Sequence, residues 1–371
     1  MEQLQFCAPC LFGSEGILAD ELKRMGASDV RAQNGRVLFC GEVSLLARAN
    51  LRCRTAERIG LLLGQFRATS FDQLFEGVKA LPWERFIGKT DRFPVKGWSL
   101  QSALHSIPDC QSIIKKAIVE RLRRTHRVTW FEETGALYRV QFTILKDEVT
   151  LLIDTSGVGL HKRGYRQNAG GAPIKETLAA AIVDVTRARL SPIVSDPCCG
   201  SGTLLIEAAL AAKRIAPGIG RRFVSMEWPL VSYEIWEEER RLAKEQERPD
   251  QQIDLYGSDI DTEVLQIARQ NAHKAGVAAH VHWNAADLTT FKPQGERGIV
   301  LCNPPYGERL LDVREAQRII RELGRVFVPD CGWQYAVISP DEKFEELFGR
   351  PAKKRRKLYN GMLRCQLYLF D

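Results

Sequence analysis

From Ser191 to Ser339 the chain repeats one pattern, a short apolar run followed by a longer run with helical spacing. Strand-like runs fall at 191–196, 254–258, 280–283, 298–302 and 333–339, and helix-like runs at 204–213, 263–275 and 313–327 sit between them. Strands alternating with helices predict a doubly wound parallel sheet with helices on both faces. The end of the chain changes character. Residues 353–359 and 362–370 flank Asn360-Gly361, a dipeptide that favours a tight β-hairpin. An antiparallel hairpin closing a parallel sheet is a distinctive combination.

In an open α/β sheet, ligands bind beyond the carboxyl ends of the strands. The suggestive residues all fall there. Asp196 ends the first strand, and Pro197-Cys198-Cys199-Gly200-Ser201-Gly202-Thr203 leads into a helix. Gly200 and Gly202 lack a Cβ, so the backbone can approach a cofactor closely. Asp259 ends the second strand, where a carboxylate can accept two ribose hydroxyls. Asp287 follows the third strand, where it could receive an adenine amino group. Taken singly, Asp261 and Asp287 read as helix caps. Asn303-Pro304-Pro305-Tyr306 ends the fourth strand and sets a carboxamide, two rigid prolines and an aromatic ring together. A P-loop, GxxxxGK[ST], is missing, and so is the third spaced glycine of a dinucleotide fingerprint. What remains is an adenosine-containing cofactor whose reactive group is not phosphate, and group transfer to a planar nitrogen. Cys198 and Cys199 have no His or acid partner pattern and read as small loop residues, not nucleophiles.

The front of the chain predicts two small α+β units, 1–54 and 55–155. The first shows strands at 4–9 and 36–40 and helices at 15–25 and 42–50. The second shows strands near 58–66 and 92–97, an amphipathic helix at 109–124, and a hairpin around Lys146-Asp147. Lys115, Lys116, Arg123 and Arg124 crowd that helix; they form either a solvated face or a phosphate-binding one. The same two readings apply to Lys353, Lys354, Arg355 and Arg356, since lysines also protect sheet edges. Residues 156–190, glycine-rich and basic at first, form a linker and lead-in helix to a final domain at 191–371.

A net charge of +7 permits a polyanionic partner without demanding one. No apolar run can span a bilayer and no signal peptide opens the chain, so a cytoplasmic location and no membrane partner are expected. Ten cysteines are then expected to be reduced. Cys7-Ala-Pro-Cys10 has CxxC spacing but no second close pair, which favours buried thiols over a metal site.

The stretches 196–203, 257–261 and 303–306 resemble the motifs of class I S-adenosylmethionine methyltransferases acting on exocyclic amines. With Lys162-Arg163-Gly164-Tyr165-Arg166, residues 172–180 and Lys357–Leu363, the chain is similar to THUMP-domain RNA guanine-N2 methyltransferases over essentially its whole length. The resemblance implies a Rossmann-like, seven-stranded class I methyltransferase domain preceded by α+β ferredoxin-like and THUMP domains. It implies S-adenosylmethionine held by Asp196, Cys198, Gly200, Ser201, Gly202, Thr203, Asp259, Ile260, Asp287, Ala172 and Thr177. It implies catalysis by Asn303, Pro304, Pro305 and Tyr306 on a guanine of structured RNA, ribosomal or transfer, with no metal. Some bacterial ribosomal relatives carry a second methyltransferase domain; none is expected after Asp371. The rival readings are an adenine-N6 or protein-glutamine methyltransferase, which share the clamp, and an RNA-binding module with a silent methyltransferase domain.

Overall fold

A computed structural model describes residues 3–166, 174–306, 313–329 and 332–371. The front half runs β1 (Leu4–Pro9), α1 (Glu15–Arg24), β2 (Ser28–Gln33), β3 (Arg36–Gly41), α2 (Val43–Arg52), β4 (Gly60–Arg67), α3 (Phe71–Lys79), β5 (Val95–Leu100), α4 (Ile107–His126), β6 (Arg139–Leu145) and β7 (Glu148–Asp154). These strands form a single seven-stranded sheet in the order β2-β3-β1-β4-β7-β6-β5. The two front units therefore meet strand to strand, through Phe6 opposite Leu61 and Cys7 opposite Gly60. Alternation along β6 puts Val140, Phe142 and Ile144 inward, and α4 covers them with Ile114, Ala117 and Ile118. β2, polar along most of its length, escaped the sequence reading; its pairing with β3 holds it in the sheet. The 6–7 hairpin turns at Lys146 and Asp147, both with positive φ, as expected of a type I′ turn.

The back half continues with α5 (Glu176–Val185), β8 (Ile193–Asp196), α6 (Thr203–Ala212), α7 (Tyr233–Glu245), β9 (Asp254–Asp259), α8 (Thr262–Lys274), β10 (Val281–Ala285), β11 (Gly298–Cys302), α9 (Val313–Val326), β12 (Trp333–Ser339), α10 (Phe344–Phe348), β13 (Lys354–Asn360) and β14 (Leu363–Phe370). Its sheet order is β10-β9-β8-β11-β12-β14-β13. β8 to β12 run parallel to one another, and β14 runs antiparallel between β12 and β13. This is the parallel sheet with a reversed closing hairpin that the pattern predicts.

The two halves are bolted together. The segment between α6 and α7 leaves the back sheet and buries Phe223 and Trp228, together with Trp236 of α7, in the core of the front half. Trp228 stacks on Tyr138 at 4.5 Å and donates from Nε1 to the Leu137 carbonyl. Glu239, buried on α7, takes Arg48 and Arg52 of α2. Residues 157–166, glycine-rich in sequence, are packed rather than loose. Arg163 is buried against Glu207 of α6, and its guanidinium also donates to the Leu160 and Arg54 carbonyls. Such burial of a paired charge fixes geometry more than it adds stability. Residues 172–173, expected to open the lead-in helix, lie outside the described residues.

Candidate active site

Four strand ends and the closing hairpin converge on a cavity of about 540 Å³. Both sequence motifs line it: Asp196 to Ser201 with Thr203, and Asn303 to Tyr306. Asp259, Ile260, Asp287, Ile174, Arg318, Asn360 and Leu363 complete much of the wall. The volume suits a nucleoside-sized ligand.

The glycine loop is held by its own neighbours. Asp259 Oδ2 accepts the Gly200 N–H at 2.9 Å, and its Oδ1 accepts the Asp261 N–H at 3.1 Å. The Cys199 N–H donates to the Ser258 carbonyl, and Asn271 Nδ2 donates to the Ser201 carbonyl. The two glycines serve different needs. At Gly200 (φ +52°) a Cβ would point into open space, so this is where backbone can approach a ligand. At Gly202 (φ +80°) a Cβ would come within 2.6 Å of the Trp283 ring, which also lies 2.6 Å from the position of a Cβ on Gly257. Gly202 does not line the cavity. It makes room for the indole that supports the loop from beneath, a correction to the expectation that both glycines face the cofactor.

Asp196 sits at the floor, 2% exposed, and accepts the Cys198 N–H. Burial pushes its carboxyl up to about 8; the Cys198 N–H opposes the rise and Asp259 adds to it. Burial likewise pushes the Cys199 and Cys302 thiols well up. That suits packing and not nucleophilic thiolate chemistry. At the N-terminus, burial takes Cys7 up to about 11 and Cys10 up to about 12, so both are thiols at neutral pH.

Asp261 caps α8, accepting from the Glu263 and Val264 N–H groups. Asp287 accepts from the Thr289 N–H and hydroxyl, which hold its carboxyl below the usual range. It lines the cavity as well, so cap and wall are one residue. Ile260, 73% exposed, offers the wall an apolar surface. A glycine cradle open at Gly200, a carboxylate at Asp259 and an apolar flank at Ile260 fit an adenosine-type cofactor.

Thr177 is not at the wall. It is buried, and its hydroxyl donates at 2.5 Å to Glu57, which also takes Lys175 Nζ at 3.1 Å and lies 3.2 Å from His161 Nδ1. Burial works against ionisation of Glu57, but these partners outweigh it and hold the carboxyl at about 2. Thr177 therefore ties the lead-in helix to the front half. Ala172 lies outside the described residues.

At the clamp, Asn303 Oδ1 is buried without a hydrogen-bond partner among the described residues. Tyr306 is steadied from across the cavity, where Asn360 Nδ2 donates to its hydroxyl at 2.5 Å. Asn360 appears in sequence only as half of a turn dipeptide. The turn is in fact Gly361-Met362, with Asn360 paired to Leu363 as the last rung of the ladder. Gly361 (φ +67°) takes the first central position, the type II′ arrangement. A turn centred on Asn360-Gly361 would set Lys357 opposite Arg364, and like charges so placed repel. The observed register puts Gln366 opposite Lys357 and Tyr359 opposite Arg364.

The basic residues divide. Lys115 is committed within the fold: its Nζ donates to Glu133 at 2.6 Å and lies 3.4 Å from the Phe93 ring centroid. Burial lowers its pKa while Glu133 opposes that. It is thus withdrawn from the expected phosphate-binding face. Arg123 and Arg124 are exposed near the end of α4, and Lys116 lies over Phe75. Arg355 pairs with Glu345 and Lys353 with Asp371, while Lys354 and Arg356 have no acidic partner among the described residues.

Comparison with known proteins matches three families along the chain. The family described as RMKL-like, methyltransferase domain, covers 163–368; the RlmL ferredoxin-like domain covers 5–60 and the THUMP domain 68–154. The chain is 42% identical to "Putative RNA methyltransferase YpsC" of Bacillus subtilis, over 100% of this chain and 96% of that one. It is 34% identical to "Ribosomal RNA large subunit methyltransferase K/L" of Shewanella baltica over 99% of this chain. It spans only 53% of that relative's length. Two solved structures superpose on all of it. One, from Listeria monocytogenes, is called a "predicted N6-adenine-specific DNA methylase" (TM-score 0.93, 45% identity, 97% of that chain). The other is "SMU.472, a putative methyltransferase complexed with SAH" (TM-score 0.94, 40% identity, 98% of that chain).

Proposed function

The chain belongs to the RMKL-like methyltransferase family, with RlmL-type ferredoxin-like and THUMP domains ahead of the catalytic one, and on that premise we propose that it methylates the exocyclic N2 of a guanosine in ribosomal RNA. Its cofactor is S-adenosylmethionine, which supplies an electrophilic methyl group on a sulfonium when bound. The remaining work falls to the residues of the chain.

One observation carries the reading: Asn303 lines the cavity that the glycine loop also lines, and its buried Oδ1 has no hydrogen-bond partner among the described residues. A buried acceptor left unmet costs about 1–3 kcal/mol. An exocyclic amine supplies the missing N–H. The lone pair of such a nitrogen is drawn into its ring, so the amine must be turned and desolvated before it can attack. Asn303 and the Pro304 carbonyl can each accept one of its protons and orient it. Prolines 304 and 305 stiffen the loop, which lowers the ordering required on binding. Tyr306, held by Asn360, offers a face on which the extruded base stacks, a contact worth roughly 1–3 kcal/mol. Positioning of this kind supplies much of the acceleration when the chemistry needs no dedicated base.

The front half serves to grip the RNA. The buried Trp228 and Glu239 fix its orientation, so a distance along the RNA is translated into a choice of nucleotide.

A second reading, adenine N6, shares the clamp and is favoured by the description of the Listeria structure. The test is to incubate unmodified large-subunit ribosomal RNA with enzyme and S-adenosylmethionine, digest to nucleosides, and identify the product by mass spectrometry. N2-methylguanosine is expected. N6-methyladenosine would overturn the assignment, and absence of cofactor binding by calorimetry would favour a silent domain.

A further inference from the structure

The apex of the closing hairpin carries a residue its turn does not call for. The second central position of a tight turn, fully in water, is ordinarily served by Asn, Ser, Thr or Asp. Here it is Met362, 96% exposed, the most exposed of the large apolar side chains among the described residues. A lone exposed methionine gains nothing in burial and nothing in hydrogen bonding.

Its position is more telling than its exposure. Asn360 and Leu363, on either side of the Gly361-Met362 turn, both line the catalytic cavity, and Asn360 also holds Tyr306. Met362 thus stands at the rim of the pocket that receives the base. The strand leading to it, β13, carries Lys354, Arg356 and Lys357, with Lys354 and Lys357 exposed. A polyanion lying along β13 would bring its bases to the hairpin tip.

An enzyme that works on a base inside a paired stem must extrude it against its stacking and pairing. Nucleic-acid-binding proteins that unstack a helix insert apolar side chains between base steps. Methionine suits such a site, being long, unbranched and polarizable. A Gly-Met turn at the end of a two-stranded ladder gives it a firm base.

We propose that Met362 is the wedge that enters the RNA stack where the target base has left, keeping that base in the pocket. This rests on the reading of the protein as an RNA base methyltransferase. The cations of β13 hold the neighbouring phosphates while the wedge acts.

The test uses the full chain and two RNA hairpins of one sequence containing the guanosine that the parent enzyme methylates. In one that guanosine is paired; in the other it faces an abasic ribose, so extrusion is already easy. Met362→Ala should lower the ratio of paired to unpaired turnover about tenfold or more, and Met362→Leu should restore most of it. Calorimetry with S-adenosylmethionine checks that each variant is folded. A ratio unchanged in Met362→Ala, or equal losses on both hairpins, would overturn the wedge and leave the functional reading standing. A parent enzyme that methylates no guanosine in ribosomal RNA would overturn both.

Discussion

The glycine loop and the Asn-Pro-Pro-Tyr clamp face one cavity, yet they are finished to different degrees. The loop is closed on itself: Gly200, Cys199 and Ser201 all have partners on β9 or α8. The clamp keeps a buried carboxamide oxygen without a partner among the described residues. The glycine loop is thus built before any ligand arrives, while the clamp carries a cost that a hydrogen-bond donor would remove. The contrast implies that the two sides can be broken separately.

The largest effect is expected at the unfinished side. Asn303→Ala should reduce kcat about 100- to 1,000-fold, the scale for losing a group that acts on the reacting centre. Cofactor affinity by calorimetry should stay within twofold. Asp259→Ala should do the reverse, weakening S-adenosylmethionine binding about 10- to 100-fold, because a charge-assisted hydrogen bond worth about 1.5–3 kcal/mol is lost from the loop. RNA affinity, read by filter binding, should not move. Gly202→Ala should reduce stability to urea by about 1–3 kcal/mol, through strained φ and collision with Trp283. Asn360→Ala removes the hydrogen bond to the Tyr306 hydroxyl and should lower kcat by about three- to tenfold, the worth of one hydrogen bond. A comparable loss of cofactor affinity in that variant would mean the two sides are not separate.

Stability should also depend on pH. Asp196 is held up at about 8 by burial, with Asp259 adding to the shift. An unfolded aspartate titrates at about 3.9. Between those values the folded chain holds a proton that the unfolded chain has released, so this group makes stability fall as pH rises. The penalty is complete above about 8. Asp196→Asn should flatten the decline in urea midpoint between pH 5 and pH 8.5.

Much of this site was legible along the chain because its parts are local. A strand, a turn rich in glycine and a helix identify 191–213, and Asn303–Tyr306 follows its strand directly. Fold class followed for the same reason: alternation and helical spacing are properties of neighbouring residues. Thr177 and Lys115 misled, since a motif or a charge says nothing about a distant partner, and here Glu57 and Glu133 claim them. Trp228 and Trp236 lie in the back half of the chain, and nothing near them in sequence names the front half as their destination. The hairpin was recognised but misregistered by its turn, because Asn360-Gly361 and Gly361-Met362 both suit a tight turn and cross-strand pairing chose between them.

By itself the sequence determined the strand–helix order, the glycine loop, the Asn-Pro-Pro-Tyr clamp and the cofactor class, each of them written in residues that are near neighbours along the chain. Only the tertiary structure decided that Trp283 props the loop, that Asn360 holds Tyr306, that Glu57 recruits Thr177, and that one carboxamide oxygen has no partner among the described residues. Those outcomes join residues tens to more than a hundred positions apart. Contacts of that kind depend on how whole sheets pack, since chain closure over such distances is driven by burial and not by local preference.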